Sequence, residues 1–263
     1  ACPGFPDSQV TGLTRLRDKL YVIYDNADTI VVYEAESPYT RLQDIPVNGL
    51  KEPTDMAACV NSCSLYIAGT GTGVWRIGVN HKSVEKWKNI NNIITLSVTP
   101  GGRLVALSWT DKQGIEGSET WHGILEVYRL SDGLRLSIIR LPHDILNPLH
   151  AMQTASGTFL VCHGDKDTSL HRICEVNSEG VIVTSYGQQP GSGLGQLNTP
   201  FHLALDAEGR VLVVDCLNDI VLLLDTKLNI QRVLLAWPDA ERKHVGRPVA
   251  LHYDRQNATL YIG

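Results

Sequence analysis

An all-β ring of six blades, each a four-stranded antiparallel sheet, is the fold this 263-residue sequence predicts, and three observations carry it. The first is a pair of short apolar runs joined by a tight polar turn, fullest in Pro200–Asp215 (PFHLALDAEGRVLVVD), which recurs about every fifty residues. The second is a third apolar run, with a weaker fourth, after most copies of that pair. The third is the lack of any segment that sustains the period of an amphipathic helix. Four antiparallel strands per repeat, innermost first, describe one blade of a β-propeller.

The copies can be taken in order. The first is short, with Leu20–Asp25 as its second strand and Thr29–Glu34 as its third. The second runs from Pro53–Ala58 through a turn bounded by Cys59 and Cys63 into Leu65–Gly69, then Gly73–Ile77. The third passes from Thr95–Val98 through Thr99–Arg103 into Leu104–Leu107, with Ile124–Tyr128 following. Pro148–Met152, Phe159–His163, His171–Val176 and Val181–Tyr186 make the fourth. The fifth is Pro200–Asp215 with Ile220–Asp225 and Ile230–Leu235. The sixth starts at Pro248 and stops at Gly263 after its second strand, so the last blade reads as incomplete. Residues 1–11 supply one closing strand at most, and the expectation is either a thin final blade or a chain that natively continues. Residues 1–263 read as a single domain.

The motif Pro-x-x-hydrophobic-Ala-x-Asp-x-x-Gly-x-hydrophobic-x-Val-x-Asp, followed by Asn218–Asp225 (NDIVLLLD), resembles the NHL repeat. The resemblance is strong over residues 190–263 and looser over 1–130, and the Cys-containing, extracellular-looking members match better than the intracellular ubiquitin-ligase type. It implies a propeller that binds a protein, glycan or small-molecule ligand at one face or at the channel mouth. It does not imply an activity, because one fold hosts many chemistries.

Composition narrows the classes. With 43% hydrophobic residues the chain can bury one large core, and a net charge of −5 with no Lys/Arg run longer than two argues against nucleic acid. No apolar segment reaches the roughly 18 residues of a membrane span. Six cysteines suggest an oxidising compartment. Lining up Cys162 with Val214 and Cys174 with Leu222 places the two at facing positions of a hairpin, where Cα atoms lie about 5 Å apart, within disulfide reach. Cys59 and Cys63 flank a three-residue turn that a disulfide would staple, and Cys2 with Cys216 form a weaker third pair. Asn257-Ala-Thr259 is an N-glycosylation triplet in a strand-to-strand turn, which supports a secreted glycoprotein.

The innermost strands line the central channel, and their early residues ring its mouth. Two positions after the leading Pro stand Asp55, His150, His202 and Ala250, with Thr95 at that level in the third copy. NHL repeats carry Gly or another small residue there, so Asp55, Thr95, His150 and His202 are the candidate ligand contacts. Hydrogen bonding among themselves and to trapped water is their structural alternative. Asp55, His150 and His202 are also a ligand set for a divalent ion, zinc or calcium, with a position left open. Peptidyl-hydroxyglycine amidating lyase, a related six-bladed propeller, is similar in holding zinc with channel histidines. The competing function is therefore a metal-dependent lyase or hydrolase, although the third histidine is missing at this level and His252 lies two residues further on. A second ring, Asp25, Gly69, Ser108, His163 and Asp215, ends each second strand. There the aspartates are expected to bond the following turn, and His163 stands out as a departure.

Overall fold

The computed structural model describes residues 9–78, 83–99, 101–113, 120–237 and 247–263. Five four-stranded antiparallel sheets are present. Blade one holds β1 (Val10–Leu16), β2 (Lys19–Tyr24), β3 (Thr29–Glu34) and β4 (Arg41–Pro46). Blade two holds β5 (Pro53–Cys59), β6 (Ser64–Gly69), β7 (Gly73–Gly78) and β8 (Val84–Lys88). Blade three holds β9 (Ile93–Val98), β10 (Arg103–Gln113), β11 (Thr120–Arg129) and β12 (Arg135–Arg140). In blade four are β13 (Pro148–Gln153), β14 (Phe159–His163), β15 (His171–Val176) and β16 (Ile182–Gln188). In blade five are β17 (Pro200–Leu205), β18 (Val211–Asp215), β19 (Ile220–Leu224) and β20 (Ile230–Ala236). The expected count of six is corrected: five blades are complete, and β21 (Leu251–Asp254) with β22 (Thr259–Ile262) form a two-stranded sheet.

That small sheet completes the circuit of packing. Innermost strands touch in the sequence β1, β5, β9, β13, β17, β21 and back to β1. The apolar core is correspondingly divided into six clusters, one per interface. Ala250 and Tyr261 pack with Leu13, Val22 and Val31 of blade one, while Val249 and Leu251 pack with Leu212, Val214 and Leu223 of blade five. Strand alternation explains the division. Tyr21 and Ile23 of β2 join the cluster shared with blade two, whereas Leu20, Val22 and Tyr24 join the one shared with the small sheet. Second strands are thus buried on both faces, which is why β6, β14 and β18 are buried along their whole length. Outer strands such as β12 and β20 are mostly exposed.

The seam between blade one and the small sheet also carries a polar clasp. Arg15 Nη1 donates to Asp254 Oδ2 at 2.6 Å and to the Tyr261 hydroxyl at 3.3 Å, and Tyr261 donates to the carbonyl of Ala35 at 2.8 Å. Both charges are largely withdrawn from water. Arg15→Ala is expected to cost about 2–4 kcal/mol in a urea titration, because it leaves Asp254 buried without its partner. A change within about 0.5 kcal/mol would remove the clasp from the account of closure.

The cysteine expectations are corrected. Cys162 faces Ile173 and Cys174 faces Val161, one position out of register with each other, so the two thiols project from opposite faces of blade four. Cys162 packs toward blade five and Cys174 toward blade three. Cys59 lies in the cluster between blades two and three, whereas Cys63 Sγ sits 2.9 Å from Arg17 Nη2 of blade one. Cys216 is likewise a free, buried thiol; Cys2 lies outside the described residues. A denaturing, non-reducing thiol titration is expected to count at least four thiols, and two or fewer would show that the expected pairs form after all.

In blades one, four and five a side chain at the end of the second strand ties the blade to the segment leading into it. Asp215 Oδ1 accepts the Asn198 N–H at 2.6 Å, and its Oδ2 accepts from Asn218 Nδ2 at 2.6 Å, so it links the lead-in to β17 with the turn after β18. Asp25 accepts the Gln9 N–H in the same manner, but strand pairing puts Tyr24, not Asp25, opposite Val10 in the place Asp215 takes opposite Pro200. His163 accounts for its departure by inverting the bond. Its Nδ1 lies 3.2 Å from the Leu146 carbonyl, so an imidazole donor meets a C=O where Asp215 meets an N–H.

Candidate functional site

Three channel residues expected from sequence come together. A register irregularity follows Pro53, Pro148 and Pro200, immediately before Asp55, His150 and His202. Such β-bulges re-aim the next side chain. The residue ahead of each proline, Glu52, Asn147 and Thr199, has positive φ (42°, 48° and 60°), which swings the chain into the inner strand. The result is a buried triad with exposures of 2%, 2% and 9%. Asp55 Oδ2 lies 3.9 Å from His150 Nε2, Asp55 Oδ1 lies 3.7 Å from His202 Nε2, and the imidazoles overlap with centroids 3.8 Å apart.

The carboxylate is fixed by backbone. Its Oδ1 accepts the Met56 N–H at 2.7 Å and its Oδ2 the Leu96 N–H of blade three at 2.8 Å. The gaps to the histidines exceed hydrogen-bond range, and neither His150 Nδ1 nor His202 Nδ1 has a partner. Thr95 Oγ1 and Ser97 Oγ are equally buried and unpartnered. Burial first, and the neighbouring His202 second, hold the His150 pKa well below the usual imidazole range, so its ring is neutral at pH 7.

The triad forms the floor of a cavity of about 340 Å³ that runs to the exposed hairpin-turn residues Asn61 and Arg255. Sequence placed these residues at the mouth; they lie instead at its inner end. Thr95 shares their level without lining the cavity. Sequence reading missed Ser97 and Thr14, which do line it. Ser97 stands two residues after Thr95, so same-face alternation along the strand was the available signal. His252 lines the same cavity, with its Nδ1 3.4 Å from Thr14 Oγ1 and its pKa depressed to about 4, chiefly by burial. It belongs to the wall and not to the triad.

The triad fits a divalent ion. Each of the three residues offers a ligand atom within 4.8 Å of the others, the donor set mixes imidazole and carboxylate, and the gaps are too wide for direct bonding yet suited to an atom between. Two unpartnered Nδ1 atoms fit equally well with water or a small polar ligand.

Fold and site together define a β-propeller whose central cavity holds a buried Asp/His triad. Among solved structures the chain is similar to the WD40 β-propeller domain of Doa1, with a TM-score of 0.62 and 13% identity over 98% of this chain and 90% of that one. It is also similar to a protein of unknown function from Bacteroides caccae, with a TM-score of 0.64 and 16% identity over 93% and 81%. A chain of a nidogen/laminin complex matches with a TM-score of 0.65 and 13% identity over 90% and 82%. At these identities the likeness is one of fold alone. No family model matches the sequence, and no curated protein does. Among the described residues no helix is long and apolar enough to cross a membrane.

Proposed function

We propose that this propeller is a binding module whose central cavity holds a small polar ligand on the floor formed by Asp55, His150 and His202. The observation that carries the reading is the concentration of unpartnered buried polar atoms there: His150 Nδ1, His202 Nδ1 and Ser97 Oγ all belong to residues of one cavity wall. A buried polar atom without a partner costs about 1–3 kcal/mol, so several in one cavity favour an occupant that satisfies them. The natural setting proposed is extracellular, in the NHL class. Support comes from the Asn257 triplet, which stands on an exposed turn; the free thiols of the five described cysteines add none.

A ligand that binds only the folded state raises its stability by RT ln(1 + [L]/Kd), about 2.7 kcal/mol at a hundred times Kd. A thermal-shift screen of small polar compounds and divalent chlorides is expected to find stabilisers whose effect disappears in His202→Ala. Stabilisers acting equally on both proteins would remove the site from the reading.

The ligand distances favour a second reading, a metal-dependent lyase or hydrolase using Asp55, His150 and His202. Elemental analysis of protein purified without chelator or polyhistidine tag tests it. Substoichiometric zinc and calcium would end that reading and leave the first intact.

A further inference from the structure

We propose a second ligand site, for an acidic saccharide, in the groove between blades two and three. It follows from the second ring. At the place where each second strand ends, Tyr24, His163 and Asp215 fill the space with their own side chains. In blade two Gly69 leaves no room, since a Cβ there would meet Leu50 Cδ1 at 2.6 Å and the Lys51 carbonyl at 2.8 Å. Blade three differs. Ser108, with its short side chain, holds this place opposite Ile93 and belongs to the lining of a groove of about 670 Å³.

The groove presents donors without acceptors. Ser108 is 2% exposed and its Oγ has no partner; Trp109 Nε1 is buried and unpartnered as well. Lys88 adds an ammonium whose partners among the described residues are the Gly133 carbonyl at 3.0 Å and the Tyr128 ring, 5.5 Å from its centre. Glu126 is neutralised by Arg135 at 2.7 Å, so Lys88 leaves the lining with one net positive charge. In blade five the equivalent space is taken by the Asp215 carboxylate, which accepts the lead-in N–H of Asn198. Asn91 is the counterpart of Asn198 in blade three, two residues before Ile93 as Asn198 is two before Pro200. A carboxylate brought by a ligand therefore supplies what Ser108 lacks.

The rest of the groove selects the class. Its volume far exceeds a carboxylate, Trp109 lies stacked on Trp121 with rings 18° apart, and the exposed amides of Asn89, Asn91 and Asn92 line the rim. Indole beside a row of amides matches the apolar face and hydroxyls of a pyranose ring. A hexuronate joins the two features in one molecule. This site is independent of the central cavity.

Titration calorimetry of the whole protein with D-glucuronate, methyl glucoside and a blocked glutamate tests the assignment. Glucuronate is expected to bind, and methyl glucoside about tenfold more weakly or worse, as loss of a charge-assisted bond implies. Ser108→Asp restores the carboxylate from within and is expected to abolish glucuronate binding while raising the melting temperature; Lys88→Gln is expected to weaken it about tenfold without changing the fold. His202→Ala should bind glucuronate as the wild type does. Absence of glucuronate binding, unchanged binding by Ser108→Asp and Lys88→Gln, or equal affinity for blocked glutamate would overturn the proposal.

Discussion

Acidification from pH 7 to pH 4 is expected to destabilise this protein by several kcal/mol, because three histidines are held neutral inside it. Burial depresses His163 and His252 to about 4 and pushes His150 in the same direction. For a group whose folded pKa lies below its unfolded value, stability is full above the unfolded pKa, near 6.5, and is lost as pH falls through the folded one. His163 and His252 each contribute a loss of about 3 kcal/mol over that window. Asp215 works against them. Burial raises its carboxyl to about 7 despite the Asn198 and Asn218 bonds, so its contribution is present below about 4 and lost as pH rises through 7. It offsets the acid loss by about 4 kcal/mol at most, leaving about 2 kcal/mol from His163 and His252 together, and the whole of the His150 loss, uncompensated. Asp144 and Asp206, lowered mainly through Arg172 and Arg210 against the opposing effect of burial, add further loss below about pH 4. Urea midpoints should therefore peak near neutrality and fall toward pH 4.5, and Asp215→Asn should steepen that acid-side fall, because the opposing contribution between about pH 4 and 7 is gone. Equal midpoints at pH 7 and 4.5 would contradict the burial of these imidazoles.

The second large effect is expected at Asp55. Its two oxygens accept the N–H groups of Met56 and Leu96, one in its own blade and one in the next. Asp55→Ala leaves both donors without their acceptor at a buried position, at about 1–3 kcal/mol each. Loss of about 2–5 kcal/mol in urea unfolding is the expected outcome, with Asp55→Asn milder because its amide oxygen keeps one bond. A loss below about 1 kcal/mol for Asp55→Ala would show that water replaces the carboxylate without penalty.

These expectations rest on details that the sequence exposes unevenly. Paired apolar runs were legible because second strands are buried on both faces and so read as unbroken hydrophobic stretches, LYIAG in β6 and VLVVD in β18. The channel triad was legible because Asp55, His150 and His202 share one offset from a proline in three copies. Register was not legible. Cys162 does stand where Val214 stands and Cys174 where Leu222 stands, but these positions are one residue short of facing each other, and in a strand one residue is the difference between facing partners and opposite faces. In the first copy the alignment itself slipped by one residue and put Asp25 where Tyr24 stands. Depth was hidden too: bulges after the prolines turn the triad inward, and nothing in the motif marks a bulge. Arg15 joins blade one to the two-stranded sheet through Asp254 and Tyr261, far away in the sequence, and no motif marks that pairing.

Native mass spectrometry of protein purified without chelator or polyhistidine tag, with wild type beside His150→Ala/His202→Ala, tests the central cavity most directly. If Asp55, His150 and His202 form the floor of a binding site, the wild type carries one additional mass, a cation or a small polar molecule, that the double variant lacks. A wild type of bare polypeptide mass, or a double variant that keeps the same additional mass, would contradict it.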